Sequence, residues 1–258
     1  MDLATLIGML LGLGAVLGGF IMEGGKPSSL IEVSAAVIVL GGSIGATIVS
    51  FSMRHITGLP NIIKQAFFAR KEDPLEMVKL IVSLAKKARQ SGILALEAEA
   101  QQLENPFVRN AIQLVVDGTQ PELVSEILDT EIEAMRERHK IGVDFFTSWG
   151  GLSPTLGVLG TVMGLVHMLE NLSDPGGMGP SIAVAFIATF YGVGFANLVF
   201  LPIASKLKFQ SHHELALYEM IVIGILALQA GENPGIVSTK MQAYLSPGHK
   251  RQLAQEGA

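Results

Sequence analysis

The sequence predicts an all-α membrane protein with four transmembrane helices, a helical cytoplasmic domain and long stalk helices that continue from the third and fourth spans. Of its 258 residues, 49% are hydrophobic and only 16% are charged, whereas soluble domains carry about a quarter charged residues. Four apolar runs are each long enough to cross the roughly 30 Å hydrocarbon core of a bilayer. Most of the 29 glycines lie inside these runs, where small residues let helices in lipid pack closely.

The predicted spans divide the chain into four segments. The apolar runs cover residues 3–22, 33–53, 148–169 and 181–205. We therefore expect a first pair of spans with a short periplasmic loop over 1–53, and a cytoplasmic helical domain over 54–147. The second pair, again with a short periplasmic loop, is expected over 148–205, and C-terminal cytoplasmic helices with a tail over 206–258. The first run is not expected to be a secretory signal, because no basic residue precedes it and no small-residue cleavage site follows it.

The basic residues predict the orientation of the spans. Twelve Lys and Arg residues lie between positions 54 and 147 and five between 206 and 258, which is 17 of the chain's 18. Because basic loops stay in the cytoplasm, both termini are expected there. The net charge of −5 argues against a nucleic-acid partner, and the absence of Cys excludes disulfides.

The polar segments show helical periodicity. Apolar spacing predicts helices over residues 74–90 and 93–103, separated by Gly92, and another from Pro106 to near Gly118. A long helix is expected to run from Pro121 into the third span, and the fourth span to continue to about Ala230. A last helix is expected from Pro234 to Leu245, and the polar tail from Ser246 is expected to be disordered.

The apolar runs contain no Asp, Glu, Lys, Arg or His, apart from His167 near the outer end of the third. A protein that moves ions through its own body usually keeps an intramembrane ionisable group, so this chain is not expected to be a complete channel. Thr161 and Thr189 fall near midplane at similar depth, each on a helix face of small residues. Their hydroxyls either present oxygens to another helix or bond the carbonyl one turn earlier, and both readings stay open.

Two prolines and a set of charges have equally open roles. Pro154 and Pro202 lie near the cytoplasmic ends of their spans, where proline frees a carbonyl and kinks a helix. Each kink is either a structural bend or a hinge between the membrane part and the stalk. Five charged residues flank Gly92, where a solvated helix face explains them on physical grounds alone: Lys86, Lys87, Arg89, Glu97 and Glu99. No catalytic site or metal site is expected, because His212 and His213 have only Glu214 as a nearby carboxylate.

Three stretches resemble the MotA/PomA flagellar stator subunits. They are residues 153–169 (SPTLGVLGTVMGLVHML), 186–207 (FIATFYGVGFANLVFLPIASKL) and 85–97 (AKKARQSGILALE). In that order, they resemble the third span, the fourth span and the charged cytoplasmic motif of that family. The four-span layout of the chain resembles the family as well. The wider group includes the three-span TolQ and ExbB energisers.

The resemblance implies a role for each candidate residue. Arg89 and Glu97 match charges that engage the rotor protein FliG, with Lys86, Lys87 and Glu99 nearby. Pro154 and Pro202 match the prolines that couple ion flow to movement of the cytoplasmic part. Thr189 matches a channel-lining threonine of the wider group, and Thr161 one tied to sodium use in PomA-type subunits.

The family also implies partners. Related subunits form a membrane-embedded, lipid-surrounded pentamer around two helices of a MotB/PomB-type partner, whose single span brings the membrane Asp. No cofactor is implied beyond the transported Na⁺ or H⁺. The stretch around Thr189 looks closer to the sodium type. A TolQ/ExbB-like energiser of a non-flagellar machine and a passive oligomeric scaffold are the alternatives, and a membrane enzyme is least expected.

Overall fold

The computed structural model describes residues 3–68, 72–170 and 175–256, and these residues form helices and turns without a strand. They divide into two compact units, each built from two stretches of chain. The first unit falls within residues 1–69 and 139–209, and the second within 70–138 and 210–258. The domain boundaries predicted at residues 53, 147 and 205 mark membrane surfaces and stay predictions.

Three helices in the described part of the chain are long and apolar enough to cross a membrane. They are Ala4–Met22, Pro121–Glu170 and Gly176–Gln229. These contain the first, third and fourth predicted spans. The all-helical class predicted from the sequence is confirmed.

The second predicted span is shorter than expected. The helix over Val33–Val49 ends four residues before the predicted limit at position 53. Backbone N–H groups of Ser50 and Phe51 bond the carbonyls three residues earlier, which tightens the last turn, and Ser52 then starts the separate helix Met53–Phe68. Serine favours such helix boundaries because its hydroxyl competes for backbone groups. The remaining helix is at the lower length limit of about 17 residues for a span, so the membrane crossing of this second span stays a prediction.

The two predicted stalk helices are present. Pro121–Glu170 is one helix of 50 residues without a break at Gly150 or Gly151. The fourth apolar helix runs from Pro175 through a π-helical turn at Ala196–Phe200 and continues as Leu201–Gln229. Each long helix contributes residues to both units.

The helices of the second unit begin at polar caps followed by proline. Asp73 accepts a hydrogen bond from the Leu75 amide at 2.9 Å and starts the helix Pro74–Ser91. Asn105 accepts from the amides of Phe107 and Val108 and starts Pro106–Val116. Such side chains satisfy amides that the first turn leaves without partners, and proline fits the first helical position.

Two predictions for the second unit need correction. The stretch expected as one helix over residues 93–103 is a 3₁₀ turn, Ile93–Leu96, followed by one α-turn, Glu97–Ala100. The tail expected to be disordered forms the helix Pro247–Glu256, after Pro234–Gln242. Ser246 caps the tail helix by accepting from the His249 amide at 3.4 Å, a local signal that a composition argument overlooks.

One apolar core holds the second unit together. Loop helices pack on the portions of the long helices that belong to this unit, and Phe107 lies against Tyr218 with ring centroids 4.6 Å apart. Burial, followed by the charge of Glu214, raises the pKa of Tyr218 to about 12. The largest fully buried side chains of this core are Leu75, Ile81, Leu96, Phe107, Ile112, Leu128, Met220, Ile221, Ile225, Leu228 and Met241.

The first unit depends on close contact between the third and fourth apolar helices. A Cβ atom added at Gly192 would lie 2.6 Å from the Ser153 carbonyl oxygen and 3.0 Å from the Gly157 Cα. A Cβ at Gly157 would lie 3.0 Å from the Ala188 carbonyl oxygen. Since these neighbours are backbone atoms, the two helices can approach this closely only with glycine at both positions.

This contact gives a prediction with a control in the same helix. Gly192→Ala should destabilise the protein by about 1–3 kcal/mol, because the added methyl group overpacks a backbone contact. Gly194→Ala adds the same methyl group where no atom lies within 4 Å and should leave stability unchanged or slightly raised. Thermal unfolding of the detergent-solubilised chains, followed by circular dichroism, measures the difference; equal melting temperatures would contradict the prediction.

Candidate functional site: paired threonines and a charged turn

The two predicted threonines meet where the third and fourth apolar helices are closest. The Thr161 hydroxyl oxygen lies 2.9 Å from the Ala185 carbonyl oxygen and 3.1 Å from that of Gly157. It also forms a hydrogen bond with the Thr189 hydroxyl. Both side chains are half-buried. The sequence placed these residues at one depth on facing helices, and the structure brings them together.

The hydroxyl pair combines the two readings that the sequence left open. Gly157 lies one turn before Thr161, so the local carbonyl bond exists, but Thr161 also reaches the neighbouring helix. Because a hydroxyl has one proton and two lone pairs, the arrangement is satisfied when Thr189 donates to Thr161 and Thr161 donates to a carbonyl. Two hydroxyl and two carbonyl oxygens thus converge within an otherwise apolar surrounding, and oxygens are the ligands that hard cations prefer.

The two prolines have different effects on their helices. Pro202 follows directly on the π-helical turn Ala196–Phe200 and Leu201, and its side chain is exposed. Because proline has no N–H, the carbonyl four residues earlier loses its partner, and a widened turn is one way to accommodate this. Pro154 is half-buried and leaves its helix continuous. The hinge role of both residues stays a prediction.

A buried polar network, which the sequence reading missed, lies next to Pro154. The Trp149 indole N–H donates to the Ser43 hydroxyl at 2.9 Å. The Ser153 hydroxyl lies 3.3 Å from the same oxygen and 2.8 Å from the Trp149 carbonyl oxygen. Ser43 and Ser153 are both fully buried, and Trp149 stacks on Phe200 with centroids 3.9 Å apart. The network joins the second, third and fourth apolar helices; its only sequence signal was serine within apolar runs.

In the second unit, the structure separates the five predicted charges into two groups. Lys87 and Glu99 form an ion pair across the turn at Gly92, and each is about 40% exposed. Lys86, Arg89 and Glu97 are exposed and, within the described residues, form no hydrogen bond or ion pair. Gly92 has φ +86°, a conformation that L-residues with a side chain rarely adopt. The turn therefore presents three unpaired charges, and the other two link its sides.

Family models match most of the chain. Residues 99–220 match the model described as MotA/TolQ/ExbB proton channel family, and residues 6–92 match the one described as Motility protein A N-terminal. Both matches agree with the resemblance found in the sequence.

Relatives match over nearly their full length. Motility protein A of Borreliella burgdorferi is 37% identical over 255 residues, which cover 98% of this chain and 97% of the relative. Chemotaxis protein PomA of Vibrio alginolyticus is 36% identical over 250 residues, which cover 97% and 98%.

Two solved structures share the fold. The structure titled C. jejuni MotAB has a TM-score of 0.91 and 30% identity, covering 96% of this chain and 97% of its own. The structure titled flagellar MotAB stator complex from Bacillus subtilis has a TM-score of 0.90 and 32% identity, with coverages of 96% and 98%. The protein therefore belongs to the MotA/TolQ/ExbB proton channel family, among the motility protein A subunits of the flagellar stator.

Proposed function

We propose that this stator subunit conducts Na⁺ or H⁺ inward together with a MotB/PomB-type partner, and that the ion flow drives torque on the rotor. The observation that carries the proposal is the hydrogen-bonded pair of Thr161 and Thr189, within apolar helices that have no Asp, Glu, Lys, Arg or His near their middle. The pair offers oxygens but no negative charge. A cation at this depth needs the carboxylate that the partner's membrane Asp would supply.

The energetics fit such a division of labour. One elementary charge that crosses a potential of about 100 mV releases roughly 2.3 kcal/mol, several times the thermal energy. The partner's Asp would hold the cation while threonine and carbonyl oxygens replace part of its water shell. Occupation and release at this point would act on Pro154, which lies two turns from Thr161, and through it on the helix Pro121–Glu170.

The partner, the ring and the location also belong to the proposal. The two solved relatives carry MotAB in their titles, which supports a MotB-type partner for this chain. A homopentamer would place five threonine pairs, one from each subunit, around two partner helices. The positions of 17 of the 18 basic residues support both termini in the cytoplasm, and the stator family supports an inner-membrane location.

The charged turn is the proposed contact with the rotor protein FliG. Arg89 and Glu97, together with Lys86, are exposed and have no partner in the described chain, so they are free to pair with charges of the rotor. Lys87 and Glu99 are already paired. We assign them the task of holding the turn in shape instead of contacting the rotor directly.

The first prediction concerns the threonine hydroxyls. Thr161→Val or Thr189→Val should lower ion uptake and ion-driven rotation by roughly 10- to 100-fold, because a hydrogen bond to a charged group contributes about 1.5–3 kcal/mol. Thr189→Ser keeps the hydroxyl and should retain most of the activity. Thr147→Val is the matched control, since among the described residues the Thr147 hydroxyl bonds only the Val143 carbonyl one turn earlier. Normal ion uptake in both valine variants would refute the proposed pathway.

The second prediction concerns the coupling ion. Oxygen ligands in addition to the partner's carboxylate suit sodium, which must replace lost water, whereas a proton requires only the carboxylate and water. Swimming speed should therefore fall as external sodium is replaced by potassium at fixed pH. A speed that is indifferent to sodium but falls when the proton gradient is collapsed would identify the proton as the coupling ion.

The third prediction separates positioning charges from contact charges. Lys87→Glu or Glu99→Lys should reduce rotor engagement by up to about fivefold, the worth of a partly exposed ion pair, and the double swap in one chain should restore it. Arg89→Glu should instead be restored by a charge reversal on FliG. Torque measured from beads attached to single flagella distinguishes the two; a double swap as impaired as the single changes would contradict the positioning role.

A further inference from the structure

The charged turn also exposes an apolar side chain. Leu94, in the 3₁₀ turn Ile93–Leu96, is 75% exposed, whereas Leu96 two residues later is fully buried. Of the described large apolar residues in the second unit, Leu94 is the most exposed; the others classed as exposed are Leu123 at 48%, Ile236 at 50% and Tyr244 at 42%. A single exposed leucine needs no explanation by itself, so its surroundings decide its meaning.

Three features hold Leu94 in an outward position. The helix Pro74–Ser91 ends at Gly92, whose positive φ turns the chain sharply. On the far side of Leu94, the buried Leu96 anchors the 3₁₀ turn in the core of the unit. The ion pair between Lys87 and Glu99 joins the segments before and after the turn. Leu94 thus lies on a turn that is held in one conformation, so little conformational freedom remains to be lost on binding.

Exposed charged residues flank Leu94 along the chain. Arg89 precedes it by five residues and Glu97 follows it by three, and both are exposed with no partner in the described chain. An apolar group bordered by charged residues is the usual arrangement of a binding hot spot, in which the rim provides orientation and the centre provides affinity. The positive charge before Leu94 and the negative charge after it give the surface a direction.

We propose that Leu94 is the apolar anchor of the rotor contact. It inserts into an apolar recess on the rotor protein that has an acidic group on the side of Arg89 and a basic group on the side of Glu97. This inference rests on the proposed function and adds to it a contact that charge alone does not supply. Because exposed ion pairs are weak and screened by salt, the buried leucine carries most of the affinity.

The test compares substitutions of two exposed leucines. Full-length chains that carry Leu94→Ser, Leu94→Met or Leu123→Ser, each with a fluorescent tag, are produced together with the MotB-type partner in cells that lack their own stator. The dwell time of tagged units at the motor and the ion uptake of the cells are measured. Leu94→Ser should shorten the dwell time by about 10- to 100-fold, as expected for loss of a buried leucine side chain, with ion uptake unchanged. Leu94→Met and Leu123→Ser should leave dwell time and ion uptake unchanged.

Each other outcome counts against a specific part of the proposal. An unchanged dwell time with Leu94→Ser, while Arg89→Glu shortens it, overturns the apolar anchor and leaves the charged rotor contact in place. If neither change shortens the dwell time, the proposed rotor contact itself fails. Equal losses with Leu94→Ser and Leu123→Ser, or a fall in ion uptake with Leu94→Ser, would mean that damage to the fold explains the effect and would also overturn the anchor.

Discussion

The backbone contact between Gly157 and Gly192 sets the distance between the third and fourth apolar helices, and the rest of the first unit depends on it. Lipid provides no hydrophobic force between apolar helices, so they associate through close packing and hydrogen bonds. At this separation the Thr161 hydroxyl can reach the Ala185 carbonyl of the facing helix. The threonine hydrogen bonds between the two helices therefore depend on the glycines that permit the close contact.

In the second unit, several contacts hold the short exposed turn at Gly92 in place. Polar caps and proline start its helices, an apolar core fixes them, and an ion pair joins the two sides of the turn at Gly92. Charges that look alike in the sequence thereby take different tasks. Lys87 is paired with Glu99, whereas its neighbour Lys86 is exposed and forms no ion pair with any residue that the structure describes. Under the proposed rotor contact, the exposed charges would bind the rotor and the ion pair would keep the turn rigid, because a contact on a flexible turn would yield under load.

The features that could be predicted from the sequence are those that follow from periodicity and breakers. The continuous helix from Pro121 and the meeting of Thr161 with Thr189 both follow from helical geometry, which assigns depth and face to each residue. The second apolar helix ends at Val49 in a tight backbone turn, and the helix that begins at Pro247 starts at a contact of the Ser246 hydroxyl. Both are local features, which an average over a long window hides. The Ser43–Trp149–Ser153 network and the pairing of Lys87 with Glu99 are tertiary contacts. They depend on which helices become neighbours, and the pattern of a single helix does not contain this information.

Trp149 is the chain's only tryptophan, so its position has a spectroscopic consequence. Its indole donates to Ser43 on one helix and stacks on Phe200 of another. Emission from tryptophan depends on the hydrogen bonding and polarity around the indole ring. Intrinsic fluorescence of this protein is therefore a single-site signal from the junction of three helices, five residues before Pro154 in the third. Any rearrangement that separates these helices should change the tryptophan emission. Such a change can be followed in the native protein without a label.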